Sequence, residues 1–157
     1  MPNSVIVKTV LAPRRRAAAI LAVVLPCIGI ASMAVAHHGY SRVTAHIGRQ
    51  TYRLQVANTL GAREHGLSNR SSLPADQGML FSFPDQSIRC FWMKDMHFPL
   101  DIIWLDAEKR VLYTKPYAMP ASYPHTYCPS EPAQYVIELN AGEAARSGVQ
   151  KSQTLTF

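Results

Sequence analysis

Trp92, Met93, Lys94, Asp95, His97 and Asp101 fall within ten positions, so one short segment holds an indole, a base, two acids and a cation. Such a set could hold a polar ligand or perform acid–base chemistry, provided the fold brings the side chains onto one face. Trp92 and Met93 point to opposite sides of a strand, so at least one enters the core, and Lys94 is expected to pair with a nearby carboxylate. Asp101 is the sharper irregularity, because it interrupts an apolar strand just after Pro99-Leu100. A carboxylate there either accepts backbone N–H groups from the turn or acts as a functional acid with a perturbed pKa. The candidate ligand face is therefore Trp92, Lys94, His97 and Asp101. No nucleophile can be named, because no His–Ser or Cys–His arrangement lies nearby.

Cys90 and Cys128 are read as a disulfide that pins a proline-rich loop onto the central strands. Closing a loop of ~38 residues stabilises by roughly 4 kcal/mol in the chain-entropy picture. Two other readings stay open. His125 and Cys128, spaced H-x-x-C, could join Cys90 and His97 as four zinc ligands, or the two thiols could be unrelated. His37 and His38 raise a separate metal question, since cleavage after Ala36 leaves a terminal amine beside an imidazole, a pair suited to copper; the plainer reading is a solvated tail. The expectation is no metal and no cofactor.

These side chains must be positioned by short strands. Val43 to Ile47 and Tyr52 to Ala57 flank Gly48-Arg49-Gln50 as a hairpin, with Tyr52, Leu54 and Val56 alternating against Arg53 and Gln55. Asn58 or Thr59 caps a short helix that stops at Gly66, and Leu67 plugs the core. Further strands are predicted over Met79 to Phe83, Ile88 to Met93 after a turn at Pro84-Asp85, Leu100 to Leu105, Val111 to Thr114, Tyr135 to Leu139 and Thr154 to Phe157. Five prolines between Pro116 and Pro132 predict a long ordered loop. Asn140 with Glu143 predicts a capping box for a second helix ending at Gly148. The pattern predicts a mostly β fold, a single antiparallel sandwich or barrel with two short helices.

The chain has 157 residues and a formal charge of +6. Its first 36 combine Lys8, Arg14, Arg15 and Arg16 with an apolar run from Ala17 to Ala36 and an Ala34-Val35-Ala36 end, the pattern of a signal peptide or a retained membrane anchor. The rest is expected outside the inner membrane, touching it only if the leader is uncleaved. Without the leader, 12 basic face 10 acidic residues, which argues against a nucleic-acid surface. Residues 37–51 read as an exported N-terminal segment and 52–157 as one domain.

Several words are familiar in order: Val56-Ala57-Asn58-Thr59, Gly66-Leu67, Arg70 with Ser72-Leu73-Pro74, Gly78-Met79-Leu80-Phe81, Phe91-Trp92-Met93-Lys94, Pro99-Leu100-Asp101-Ile102-Ile103 and Tyr135 to Gly142. Together they resemble the domain of unknown function 192 family, small and often exported proteins. The resemblance implies a compact β-rich domain of jelly-roll type and no established activity. Ser68, Asp95-Met96 and Lys151-Ser152 depart from the family's usual residues.

No phosphate loop, dinucleotide fingerprint, HExxH or serine elbow occurs. The leading expectation is a non-catalytic exported module that binds an envelope component such as a glycan, peptide or protein. The alternatives are a small periplasmic enzyme using Asp101 or His97, and a metal-handling protein.

Overall fold

Alternating exposed and buried residues build the first hairpin, in which β1 (Arg42–Ile47) pairs antiparallel with β2 (Gln50–Ala57) across a turn at Gly48, whose φ of 55° favours glycine. The computed structural model describes residues 40–157; the expected leader and the pair His37-His38 lie outside the described residues. After β2 come α1 (Leu60–His65), β3 (Gln77–Ser87), β4 (Phe91–Trp92), β5 (Leu100–Leu105), β6 (Val111–Ala118), β7 (Thr126–Tyr127), β8 (Ala133–Asn140) and α2 (Glu143–Ser147). Thr59 caps α1 by accepting the Ala62 N–H, as its place before the helix predicts.

Six strands form one sheet in the order β1-β2-β3-β8-β5-β6, and β4 with β7 make a separate two-stranded ribbon. The expected all-antiparallel arrangement is corrected at one pair: β2 and β3 run parallel. The chain between them carries α1 and the buried Leu67, a crossover long enough to return β3 in the direction of β2. The sheet is therefore mixed, and it does not close into a barrel. Its edge strands β1 and β6 do not pair; the C-terminal segment bridges to His46 of β1 from Thr156 and to Arg110, just before β6, from Thr154. A jelly roll also needs two substantial packed sheets, whereas the second sheet here has two residues per strand.

Each face of the six-stranded sheet has its own core. Tyr52, Leu54, Leu80, Ile103, Leu105, Ile137 and Leu139 pack on one side. Leu67, Met79, Phe81, Met93, Ile102, Trp104 and Val136 pack on the other. Central β5 is consequently buried at all six positions, which explains its unbroken apolar character apart from Asp101. Gly78 lets three strands close up, because a Cβ there would lie 2.6 Å from the Glu138 carbonyl oxygen and 2.7 Å from a Leu54 methyl.

Proline placement departs from the sequence-based expectation. Pro84 does not end β3; it lies past the regular ladder, where the register to β8 shifts between Ser82 and Ser87. Pro116 likewise lies inside β6, an edge strand, where its missing N–H costs no ladder bond. The predicted strand over Ile88 to Met93 contracts to Phe91–Trp92. At α2, Gly142 takes the N-cap position instead of Asn140, whose side-chain amide donates to the Leu73 carbonyl at 2.9 Å.

Candidate functional site

Glu138 lies in β8 with the apolar residues Met79 of β3 and Ile102 of β5 as its cross-strand partners. Both are buried, so the strand register itself removes water from the carboxyl on two sides. Glu138 is 5% exposed, and its side chain has no hydrogen-bond partner among the described residues. Burial pushes its pKa up to about 8, and the charge of Arg70 offsets only part of that rise. At neutral pH the group is mainly a carboxylic acid, able both to donate and to accept a hydrogen bond.

The carboxyl belongs to a cavity of about 620 Å³, within the range of small-molecule sites. Leu67, Phe81, Phe91, Trp92 and Met96 contribute apolar wall, while exposed Glu64, Lys94 and Asp95 mark the mouth. A wider depression of about 1060 Å³ runs past Tyr40, Gln55 and Thr59, but its Arg70 guanidinium is already bonded to Gln55 Oε1 at 2.9 Å. It contains no buried acid.

Four local devices hold the first cavity's walls. The β4–β7 ribbon pairs Phe91 with Tyr127 and Trp92 with Thr126, and a disulfide between Cys90 and Cys128 anchors it, with a Cα separation of 4.2 Å. The pairing expected of these cysteines is present, and it leaves no thiolate for the zinc alternative with His97 and His125. Next, the turn after β4 is tied to the segment after α1: Asn69 N–H donates to the Asp95 carbonyl at 2.8 Å, and Ser68 Oγ donates to the Lys94 carbonyl at 3.0 Å. Edge-to-face packing of Phe91 on Phe81, at 4.9 Å between centroids, then fixes the aromatic wall. Arg63 closes the α1 side, donating to the Asn58 and Ser82 carbonyls while covering the Phe83 ring.

The four residues of the expected ligand face separate. Trp92 is 51% exposed at the cavity edge, its indole 6.0 Å from Lys94 Nζ and edge-on to Tyr123 of the proline-rich segment. Lys94 shares that mouth and has no carboxylate partner among the described residues. His97 is exposed but is not part of the cavity lining.

Asp101 lies on the opposite face, in the arrangement of the backbone-accepting alternative. It follows Leu100 and precedes Ile102, so its side chain leaves the sheet on the side away from Glu138. Only 1% exposed, it accepts the Tyr117 N–H at 2.9 Å and the Ala144 N–H at 2.8 Å. The local cause is a bulge: Pro116 and Tyr117 of β6 stand opposite the single residue Asp101. Tyr117, at φ 50°, turns its N–H out of the ladder, and the carboxylate satisfies it. Asp101 thereby fastens both the β6 bulge and the start of α2.

Sequence reasoning missed Glu138. Its signal was the one that singled out Asp101, a carboxylate inside an apolar strand, here Tyr135-Val136-Ile137-Glu138-Leu139. Among the described residues no group of three or more His, Cys, Asp or Glu side chains could hold a metal.

Two crystal structures are similar in fold. A Sinorhizobium meliloti 1021 protein, provisionally described as a transcription regulator, shares 30% identity at a TM-score of 0.71, covering 74% of this chain and 94% of its own. A Novosphingobium aromaticivorans DSM 12444 protein of unknown function shares 28% identity at a TM-score of 0.73, covering 78% of this chain and 89% of its own. No curated protein matches the chain. Residues 42–157 match the domain of unknown function 192 family, described as "Uncharacterized ACR", and the chain belongs to that family.

Proposed function

We propose that this protein is an exported, non-catalytic binding domain that takes a small ligand, or the end of a larger envelope component, into the Glu138 cavity. One observation carries the reading: a buried carboxyl without an internal partner faces a cavity of about 620 Å³. A hydrogen bond from a ligand to this largely desolvated carboxyl is stronger than the same bond made in open water. The basic and apolar character of residues 1–36 supports export, and the Cys90–Cys128 bond supports an oxidising compartment. Asp101, bonded to two main-chain N–H groups, speaks against an enzyme built on Asp101 and His97.

The regulator description of one structural relative is not extended to this chain. The two α-helices among the described residues have six and five residues, too short to serve as a recognition helix in a DNA groove.

The test is to purify the protein from its native envelope and identify by mass spectrometry any small molecule released on unfolding. Trp92→Ala should lose that molecule while remaining folded. A ligand-free protein whose cavity residues respond to no envelope extract overturns binding, and recovery from the cytosol with residues 1–36 attached overturns the location.

A further inference from the structure

We infer that the Glu138 cavity selects an organic ammonium ion with an apolar or aromatic body, the ligand's cation supplying the directly bonded counter-charge that this carboxyl lacks among the described residues. The inference rests on the binding reading above and adds the ligand's chemical class.

The charged groups in and around the cavity leave that role open. Arg63 is committed to two carbonyl oxygens, and Arg70 to Gln55 and the Tyr40 ring. Lys94, Glu64, Asp95 and His65 are exposed at the periphery, where water screens them and two carboxylates stand against one ammonium. None of the six is hydrogen-bonded to Glu138.

Walls and floor suit the same ligand. Phe81, Phe91 and Trp92 offer ring surface, which attracts a cation through its quadrupole and buries an apolar body by desolvation. A carboxylate ligand would meet either a like charge or an acid compelled to keep its proton. A neutral alcohol would gain a hydrogen bond and no ion pair.

Burial holds Glu138 protonated at neutral pH, with the pKa at about 8. Entry of an ammonium ion forms the Glu138 carboxylate–ammonium pair, and the carboxyl proton leaves to solvent. Affinity for the cation should therefore rise with pH until Glu138 is ionised without help.

The experiment uses three probes with one body and different charge: 2-phenylethylammonium, 2-phenylethanol and 3-phenylpropanoate. Each is titrated into the purified, disulfide-intact protein by calorimetry between pH 6 and 8.5, with amide resonances of Leu67, Trp92 and Met96 followed in parallel. The expected result is at least tenfold tighter binding of the ammonium than of the alcohol at pH 8. From pH 6 to pH 8 its affinity should rise about fifty-fold, as the ionised fraction of a group titrating near 8 does. At pH 6 about one proton should be released per ligand bound, a readout that needs no variant. Glu138→Gln keeps a donor and an acceptor but no charge, and should abolish both the cation preference and the pH dependence. Equal or tighter binding of the alcohol or the carboxylate, or full ammonium affinity in Glu138→Gln, overturns the ammonium class and leaves the binding site standing. If none of the three probes moves the cavity resonances, the inference and the binding reading fall together.

Discussion

Asp101 and Glu138 occupy neighbouring strands one register step apart, on opposite faces of the sheet, and meet opposite fates. Asp101 is saturated by the N–H groups of Tyr117 and Ala144, whereas Glu138 has no hydrogen-bond partner among the described residues. One carboxylate is a structural clamp. The other group, protonated at neutral pH, lines a cavity.

The Glu138 acid should make the protein less stable as pH rises. Its folded pKa of about 8 lies above the ordinary value of 4.5, so between those limits the unfolded chain has released a proton that the folded chain retains. Stability is highest below pH 4.5 as far as this group is concerned and falls up to pH 8, by about 5 kcal/mol at most from 1.36 kcal/mol per unit. Glu138→Gln should flatten this dependence in urea unfolding at pH 5 and pH 8.5. An equal slope in the variant would assign the effect to other groups.

Removing the clamp should be costly at any pH near neutrality. Asp101→Ala leaves two N–H groups without their acceptor, a loss of about 2–4 kcal/mol in unfolding free energy. Asp101→Asn retains one acceptor and should lose less. A fully stable Asp101→Ala protein that no longer binds ligand would restore Asp101 to the functional site.

Glu143 gives the opposite pH response. Burial raises its pKa, but hydrogen bonds from Arg146 and from Tyr52 Oη, the latter at 2.7 Å, outweigh burial and hold it below the usual carboxylate range. Its contribution is present above the unfolded-state pKa and disappears as acid protonates the folded group. Tyr52→Phe should thus cost about 1–2 kcal/mol at pH 6 and less at pH 3, read from thermal melts at both values.

Cys128→Ser should lower unfolding free energy by about 4 kcal/mol under oxidising conditions and change little when the parent protein is reduced. Equal losses in both conditions would attribute the effect to packing around Cys128.

Trp92→Ala provides the complementary case. Half of the side chain faces solvent, so stability should change by no more than about 0.5 kcal/mol while ligand affinity falls. A large drop in melting temperature would recast Trp92 as a packing residue.

Local chemistry was legible in the sequence where each residue's role depends on its neighbours in the chain. Thr59 as a cap, Leu67 as a core plug and the β1–β2 hairpin follow from adjacent residues alone. The parallel β2–β3 pair was not legible, because α1 and its flanking loops do not reveal on which side the chain returns. Pro84 and Pro116 misled for a related reason: a proline ends a strand only where the sheet needs its N–H, and edges and bulges do not. Asp101 and Glu138 gave the same one-dimensional signal. Their separation depended on a β6 bulge that supplied a donor to one and on Met79 and Ile102, which supplied none to the other.

The ribbon that forms one cavity wall has only two residue pairs of its own, too few to persist as an independent hairpin. Its rigidity is delegated to a sulfur–sulfur bond that a newly made chain does not yet possess. Closure of the ribbon is therefore coupled to oxidation: before the cysteines join, Phe91 and Trp92 are held by two main-chain pairs and by side-chain packing, and afterwards a covalent link ties the two strands together.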